Sequence, residues 1–120
     1  MTPITKQSNL PTYITKDKSS ICELMHPDQH GNNNQSLAQA RVPINTETQL
    51  HYHVATEELY YIQQGTGLMT LNNEQFQVTP GDTIQIPPNT PHKILNNGKD
   101  ELVFLCCCSP AYSHDDTFLI

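Results

Sequence analysis

From residue 36 onward the chain alternates apolar and polar residues in short runs, and turn formers interrupt the alternation at intervals of roughly eight to twelve residues. Side chains of a strand point to opposite faces in turn, so this pattern fits half-buried strands of an all-β sandwich or barrel. No segment of useful length shows a helical period. The expected strands are 19–25, 36–42, 48–54, 57–64, 67–72, 75–79, 83–86, 91–96 and 101–108. The connections carry turn chemistry. Asn72-Asn73 suits a tight hairpin, because asparagine tolerates positive φ. Pro80-Gly81 suits a type II turn. Pro87-Pro88-Asn89 stops one strand before the next begins. His26 to Asn34 reads as a loop. Residues 1–18, poor in apolar side chains, read as an N-terminal arm, which leaves 19–120 for one barrel domain. With 120 residues there is room for a single core.

The charge balance removes several classes of partner. Six Lys and Arg face twelve Asp and Glu, a net −6, and the only arginine is Arg41. A chain without a basic stripe is not built for nucleic acid or an anionic membrane surface. Its longest apolar run, Leu102 to Cys108, is too short to span a bilayer, and the first residues show no apolar leader segment. These features point to a cytoplasmic location. Three of the four cysteines are consecutive (Cys106, Cys107, Cys108), and neighbours on a strand face opposite ways. We therefore expect free thiols that pack as small hydrophobes, not a disulfide framework. The sequon Asn34-Gln35-Ser36 is expected to be idle for the same reason.

Chemistry concentrates in His51-Tyr52-His53. Residues i and i+2 of a strand share a face, so the two imidazoles point the same way. Glu58 follows at an odd offset, and a turn through residues 54–57 would bring it onto the same side. His92 opens a later strand just after the proline-rich turn. Three neutral imidazoles and one carboxylate suit a divalent transition metal, whether Fe, Mn, Co, Ni, Cu or Zn. Four side-chain ligands on a six-coordinate ion leave about two positions for water or substrate.

These residues also carry a resemblance. Asn45, five residues, His51-x-His53, four residues, Glu58, six residues and Gly65 resemble the first motif of the cupin superfamily. Gly81, Pro87, Asn89, His92 and Asn96 resemble the second. The spacing to Gly65 selects Glu58 over Glu57. Asn45 and Asn89 stand where the motifs have glycine, and asparagine is the side chain best able to take their place in a left-handed turn. The resemblance implies a jelly-roll-like barrel, the double-stranded β-helix, with one divalent metal per chain at its mouth held by His51, His53, Glu58 and His92. It extends to small single-domain proteins of the mannose-6-phosphate-isomerase-like kind and implies a homodimer. The implied function is a metal-dependent enzyme acting on a small molecule by oxygenation, isomerisation or lyase chemistry. The alternative is a non-catalytic module that binds a sugar or metabolite.

By strand parity Tyr60 and Ile62 should share the face of Glu58, and Asn96 the face of His92, so all three are candidate pocket residues. Asn96 has a competing structural role as a turn residue before Asn97-Gly98. His26 and His30 have helical spacing, but Pro27 and Gly31 mark a loop, so no second metal site is expected there. Tyr112 to Asp116 reads as a solvated C-terminal segment covering a barrel end or a partner chain.

Overall fold

The structure, a computed structural model, describes residues 3–120; Met1 and Thr2 of the expected arm lie outside the described residues. Eleven strands are present among the described residues: β1 Tyr13–Ile14, β2 Ser20–Met25, β3 Ser36–Val42, β4 His51–His53, β5 Glu57–Gln64, β6 Gly67–Leu71, β7 Glu74–Val78, β8 Thr83–Ile86, β9 His92–Leu95, β10 Leu102–Ser109 and β11 Thr117–Leu119. They form two antiparallel sheets, ordered β1-β2-β3-β10-β5-β8 and β11-β4-β9-β6-β7. This is the all-β jelly-roll domain expected from the alternation, with a radius of gyration of 13.7 Å.

Alternation decides what lies between the sheets. β3 buries every second residue from Ser36 to Val42, and β5 buries Glu58, Tyr60 and Ile62. The register sorts these inward positions into rows. Ile21 pairs with Ala40, Ala40 with Phe104, and Phe104 with Ile62, a wholly apolar row. One step along, Glu23, Ala38, Cys106 and Tyr60 form a mixed row. The next step gives Ser36, Cys108 and Glu58, a polar row. The six-stranded sheet thus changes from apolar to polar along its strands. Phe104, Ile62, Met69, Ile86, Ile94 and Leu102 are almost completely excluded from water and fill the apolar end. The polar end stays open as a cavity.

Both substituted turns adopt the conformation that asparagine permits. Asn45 has φ 61° and Asn89 φ 62°, as does the hairpin residue Asn72 at 54°. Gly65 is more constrained. Its φ is 81°, and a Cβ there would lie 2.7 Å from the carbonyl oxygen of Glu101. Gly81 has φ 95° but open space around it.

Three segments differ from the sequence expectation. Tyr13–Ile14, within the arm, pairs with β2 and extends the sheet. The loop at 26–34 contains a single helical turn, Pro27–His30, designated α1. Its loop markers are its ends: Pro27 opens it, the His26 side chain accepts from the Asp28 N–H, and Gly31 closes it in the left-handed region. The C-terminal segment is not a solvated tail throughout. His114–Asp116 forms a 3-10 turn, and β11 pairs with β4. The four cysteines are free, with Cys22, Cys106 and Cys108 buried and Cys107 half-buried on the outer face.

The two glycines give a paired test. Gly65→Ala meets both backbone strain and a carbonyl collision, so it should cost about 2–4 kcal/mol. Gly81→Ala meets strain alone and should cost about 1 kcal/mol. Thermal unfolding of the two variants measures the difference, and equal losses would show that the close approach at Glu101 carries no weight.

Candidate metal centre

The polar end of the barrel collects the side chains singled out by the sequence. His51 of β4 stands opposite His92 of β9 in the ladder, and His53 lies two residues along the same face. One ligand atom from each of these imidazoles lies within 4.8 Å of the other two. All three rings are buried. Glu58, at the start of β5, approaches from the other sheet. Its Oε1 is 3.4 Å from His53 Nε2 and 3.4 Å from His92 Nε2.

The backbone fixes which nitrogen faces the cavity. His51 Nδ1 lies 2.8 Å from the Gln49 carbonyl, and His92 Nδ1 lies 2.8 Å from the Thr90 carbonyl. His53 Nδ1 lies 3.3 Å from the Asp116 carbonyl. A carbonyl oxygen only accepts, so each Nδ1 carries the proton and each Nε2 presents a lone pair. On the carboxylate, Oε2 accepts from the Cys108 thiol at 3.4 Å. That leaves His53 Nε2, His92 Nε2 and Glu58 Oε1 buried without a hydrogen-bond partner.

These unpartnered atoms test whether a metal fits. Burying polar atoms unpaired is costly unless something coordinates them. Ligand atoms about 2.1 Å from one ion sit roughly 3.0–3.4 Å apart, the separation seen between Glu58 and its two imidazoles. The donor set is three neutral nitrogens and a carboxylate, as transition metals require. The residues fit the group.

Electrostatics agree with that assignment for Glu58 and His51, whereas His53 is held toward its charged form. Burial works against the Glu58 carboxylate, yet the imidazoles of His53 and His92 outweigh it and hold the group well below the usual carboxylate range. Burial lowers His51, helped by its neighbour His92, so it stays neutral. Burial also acts to lower His53, but the Glu58 carboxylate beside it prevails and raises it.

The other expected pocket residues divide. Tyr60 lines the cavity, together with His51, His53 and Glu58. Its ring packs edge-on to His92, with centroids 6.1 Å apart. Burial, reinforced by Glu58, pushes its phenol well above the ordinary value, so it remains a hydrogen-bond donor. Ile62 shares its face but lies one pleat deeper, in the apolar row beside Phe104, and does not reach the cavity. Asn96 is also a correction. Its amide donates to the carbonyls of Val42 and Asp100, both at 2.9 Å, and accepts from the Gly98 N–H. It ties loops together, the structural alternative read in the sequence.

Sequence reasoning missed Asp116. Its carboxylate accepts from the N–H groups of Val54, Ala55 and Thr56 at 3.1–3.2 Å, and its carbonyl orients His53. Residues 54–56 form the turn that corrects the odd offset between His53 and Glu58. One residue therefore fixes both a ligand and the turn that delivers another. Asp17, also missed, places Oδ2 3.7 Å from His51 Nε2 while Oδ1 accepts from the hydroxyl and N–H of Ser19. Nothing in the local pattern of either aspartate marks it; both act across long sequence separations.

The family model for the cupin domain matches residues 38–108. An uncharacterized protein of Methanocaldococcus jannaschii is 53% identical over 116 residues, covering 97% of this chain and 93% of that one. An oxalate-binding protein of Thermotoga maritima is 27% identical, covering 75% of this chain and 74% of that one. Among solved structures, the polyketide cyclase RemF of Streptomyces resistomycificus superposes with a TM-score of 0.83 at 19% identity, covering all of this chain and 86% of the other, a likeness of fold.

Asp116→Ala should weaken Co(II) affinity by about 10–100-fold, because it frees the turn between His53 and Glu58. Calorimetric titration of the metal-free chain measures it. An unchanged affinity would show that β11 packs against the centre without supporting it.

Proposed function

This chain belongs to the cupin domain family, and on that premise we propose that it is a metal-dependent enzyme acting on a small molecule inside the barrel. The observation that carries the reading is the convergence of three unpartnered buried atoms, His53 Nε2, His92 Nε2 and Glu58 Oε1, with the carboxylate oxygen 3.4 Å from each nitrogen. A divalent ion held by His51, His53, Glu58 and His92 would supply Lewis-acid polarisation of a substrate oxygen. The chain's own residues supply the rest. Tyr60 keeps its proton and offers it to an oxygen of the substrate. Phe104, tilted against Tyr60 at 4.5 Å between centroids, closes the floor against water. Cys108 holds Glu58 Oε2, so that Oε1 alone faces the centre.

A second reading is supported by the oxalate-binding relative, in which the same centre holds a ligand without turning it over. Product formation separates the two readings. We also propose a cytoplasmic homodimer. Each sheet ends in unpaired edge strands, β1 and β8 on one and β11 and β7 on the other, which pairing across a two-fold axis would protect. A monomeric mass at micromolar concentration by light scattering would end that proposal.

The metal reading predicts close to one transition-metal ion per untagged chain. His51→Ala and His92→Ala should each lose it, as read by elemental analysis. Full metal content in both variants would overturn the assignment.

A further inference from the structure

One buried acid in the cavity has no task in the metal centre. Glu23 of β2 is 6% exposed and lies across the barrel wall from the ligands, separated from Tyr60 by Ala38 and Cys106 in the ladder. Tyr13 donates its hydroxyl to Glu23 Oε1 at 2.7 Å. Glu23 Oε2 is fully buried and has no partner. Tyr13 keeps its proton, because burial and this carboxylate both raise its phenol, so the pair is locked with Oε1 as the accepting atom. Oε2 is therefore a buried acceptor without a donor, on a residue that lines the cavity.

The rest of the lining has the same polarity. Among the described residues no Lys or Arg lines the cavity, whereas Asp17, Glu23 and Glu58 all do. Glu23 and Tyr13 also border an outer groove that includes Asp28 and Asp115. Three carboxylates exceed the charge of one divalent ion. A phosphate or second carboxylate entering this space would meet like charge in a poorly solvated cavity and find no basic side chain to accept it.

We propose that the cavity takes a neutral, hydroxyl-rich small molecule, such as a free sugar or nucleoside, and that Glu23 Oε2 selects it by accepting a hydrogen bond from one of its hydroxyls. The proposal rests on the metal reading for the opposite end of the ligand, and it separates this chain from its oxalate-binding relative by substrate charge. A carboxylate acceptor rewards a hydroxyl and rejects an anion, so Glu23 determines specificity without itself reacting.

Calorimetric titration of the Co(II)-loaded full chain tests this with D-ribose and uridine as neutral probes and D-ribose 5-phosphate and oxalate as anionic ones. At least one neutral probe should bind, and both anions at least tenfold more weakly. Glu23→Gln keeps an acceptor for Tyr13 but turns an amide toward the cavity. It should weaken the neutral probe by about tenfold, the weight of one charge-assisted hydrogen bond, and narrow the gap to the anions. Glu23→Asp, which withdraws the carboxylate by one methylene, tests the same contact should Glu23→Gln fail to fold. An anion binding as tightly as the neutral probes overturns the proposal, as does failure of both neutral probes or indifference to the Glu23 variants. Metal content of the same samples keeps the two readings apart. A chain that takes up no ion refutes the metal reading, and the comparison of neutral with anionic probes on that metal-free chain still decides the part played by Glu23.

Discussion

Taking three imidazoles and a carboxylate out of water costs free energy that hydrogen bonds within the chain return only in part. Each imidazole donates from Nδ1 to a backbone carbonyl, but the inward atoms of His53, His92 and Glu58 have no hydrogen bond. Such a centre survives only where its surroundings hold it in place. The barrel does this by mass of apolar packing at the other end, where Phe104, Ile62, Met69 and Ile94 are sealed from solvent. The gradient from apolar to polar rows follows from that division of labour. One end of each long strand stabilises the fold, and the other holds a constellation that is unfavourable until something binds.

The same constraint explains the role of the chain's last strand. β4 is only three residues long, and its register with β9 rests on the single His51–His92 pair. So short a strand would not by itself fix two imidazoles. β11 pairs with it on the other side across three residues, and the Asp116 carboxylate gathers the three N–H groups that follow it. The turn residues Val54, Ala55 and Thr56 offer three donors in succession and little else. A carboxylate at that point satisfies them and fixes the angle at which β5 sets out toward Glu58.

Sequence parity shows which face a residue takes, and for most of the barrel that was enough. His51, His53 and Glu58 are legible as a group because a period of two and one turn bring them together. Asn45 and Asn89 are legible as turns because few other side chains accept a left-handed backbone. Parity is silent about depth. Ile62 has the face of Tyr60 yet lies where the sheets meet, and Asn96 ends its strand at a loop junction whose carbonyls claim its amide. It is also silent about residues whose partners are distant in the chain. Asp116 acts about sixty positions from the turn it holds, and Asp17 reaches His51 from outside the expected barrel. Glu23 did carry a local signal, a glutamate in register with Ser19 and Ile21 on an inward face, which is an expensive place for a carboxylate without a purpose.

A shared centre does not imply a shared ligand. The four candidate ligand positions are set by two short motifs close to the strand pair that holds them, and they can persist while the opposite wall changes. In this chain that wall comes from β2, β3 and the arm that pairs with β2, which lie before or at the very start of the segment matched by the family model at residues 38–108. Tyr13, Asp17 and Glu23 all belong to it. The family pattern therefore fixes the metal end of the cavity, while the charge of the molecule admitted is decided by residues outside the pattern. An acidic wall in a lining without Lys or Arg among the described residues favours a neutral ligand whatever the centre can do in other chains, because the electrostatic cost of a second anion is incurred on entry, before any chemistry at the metal begins.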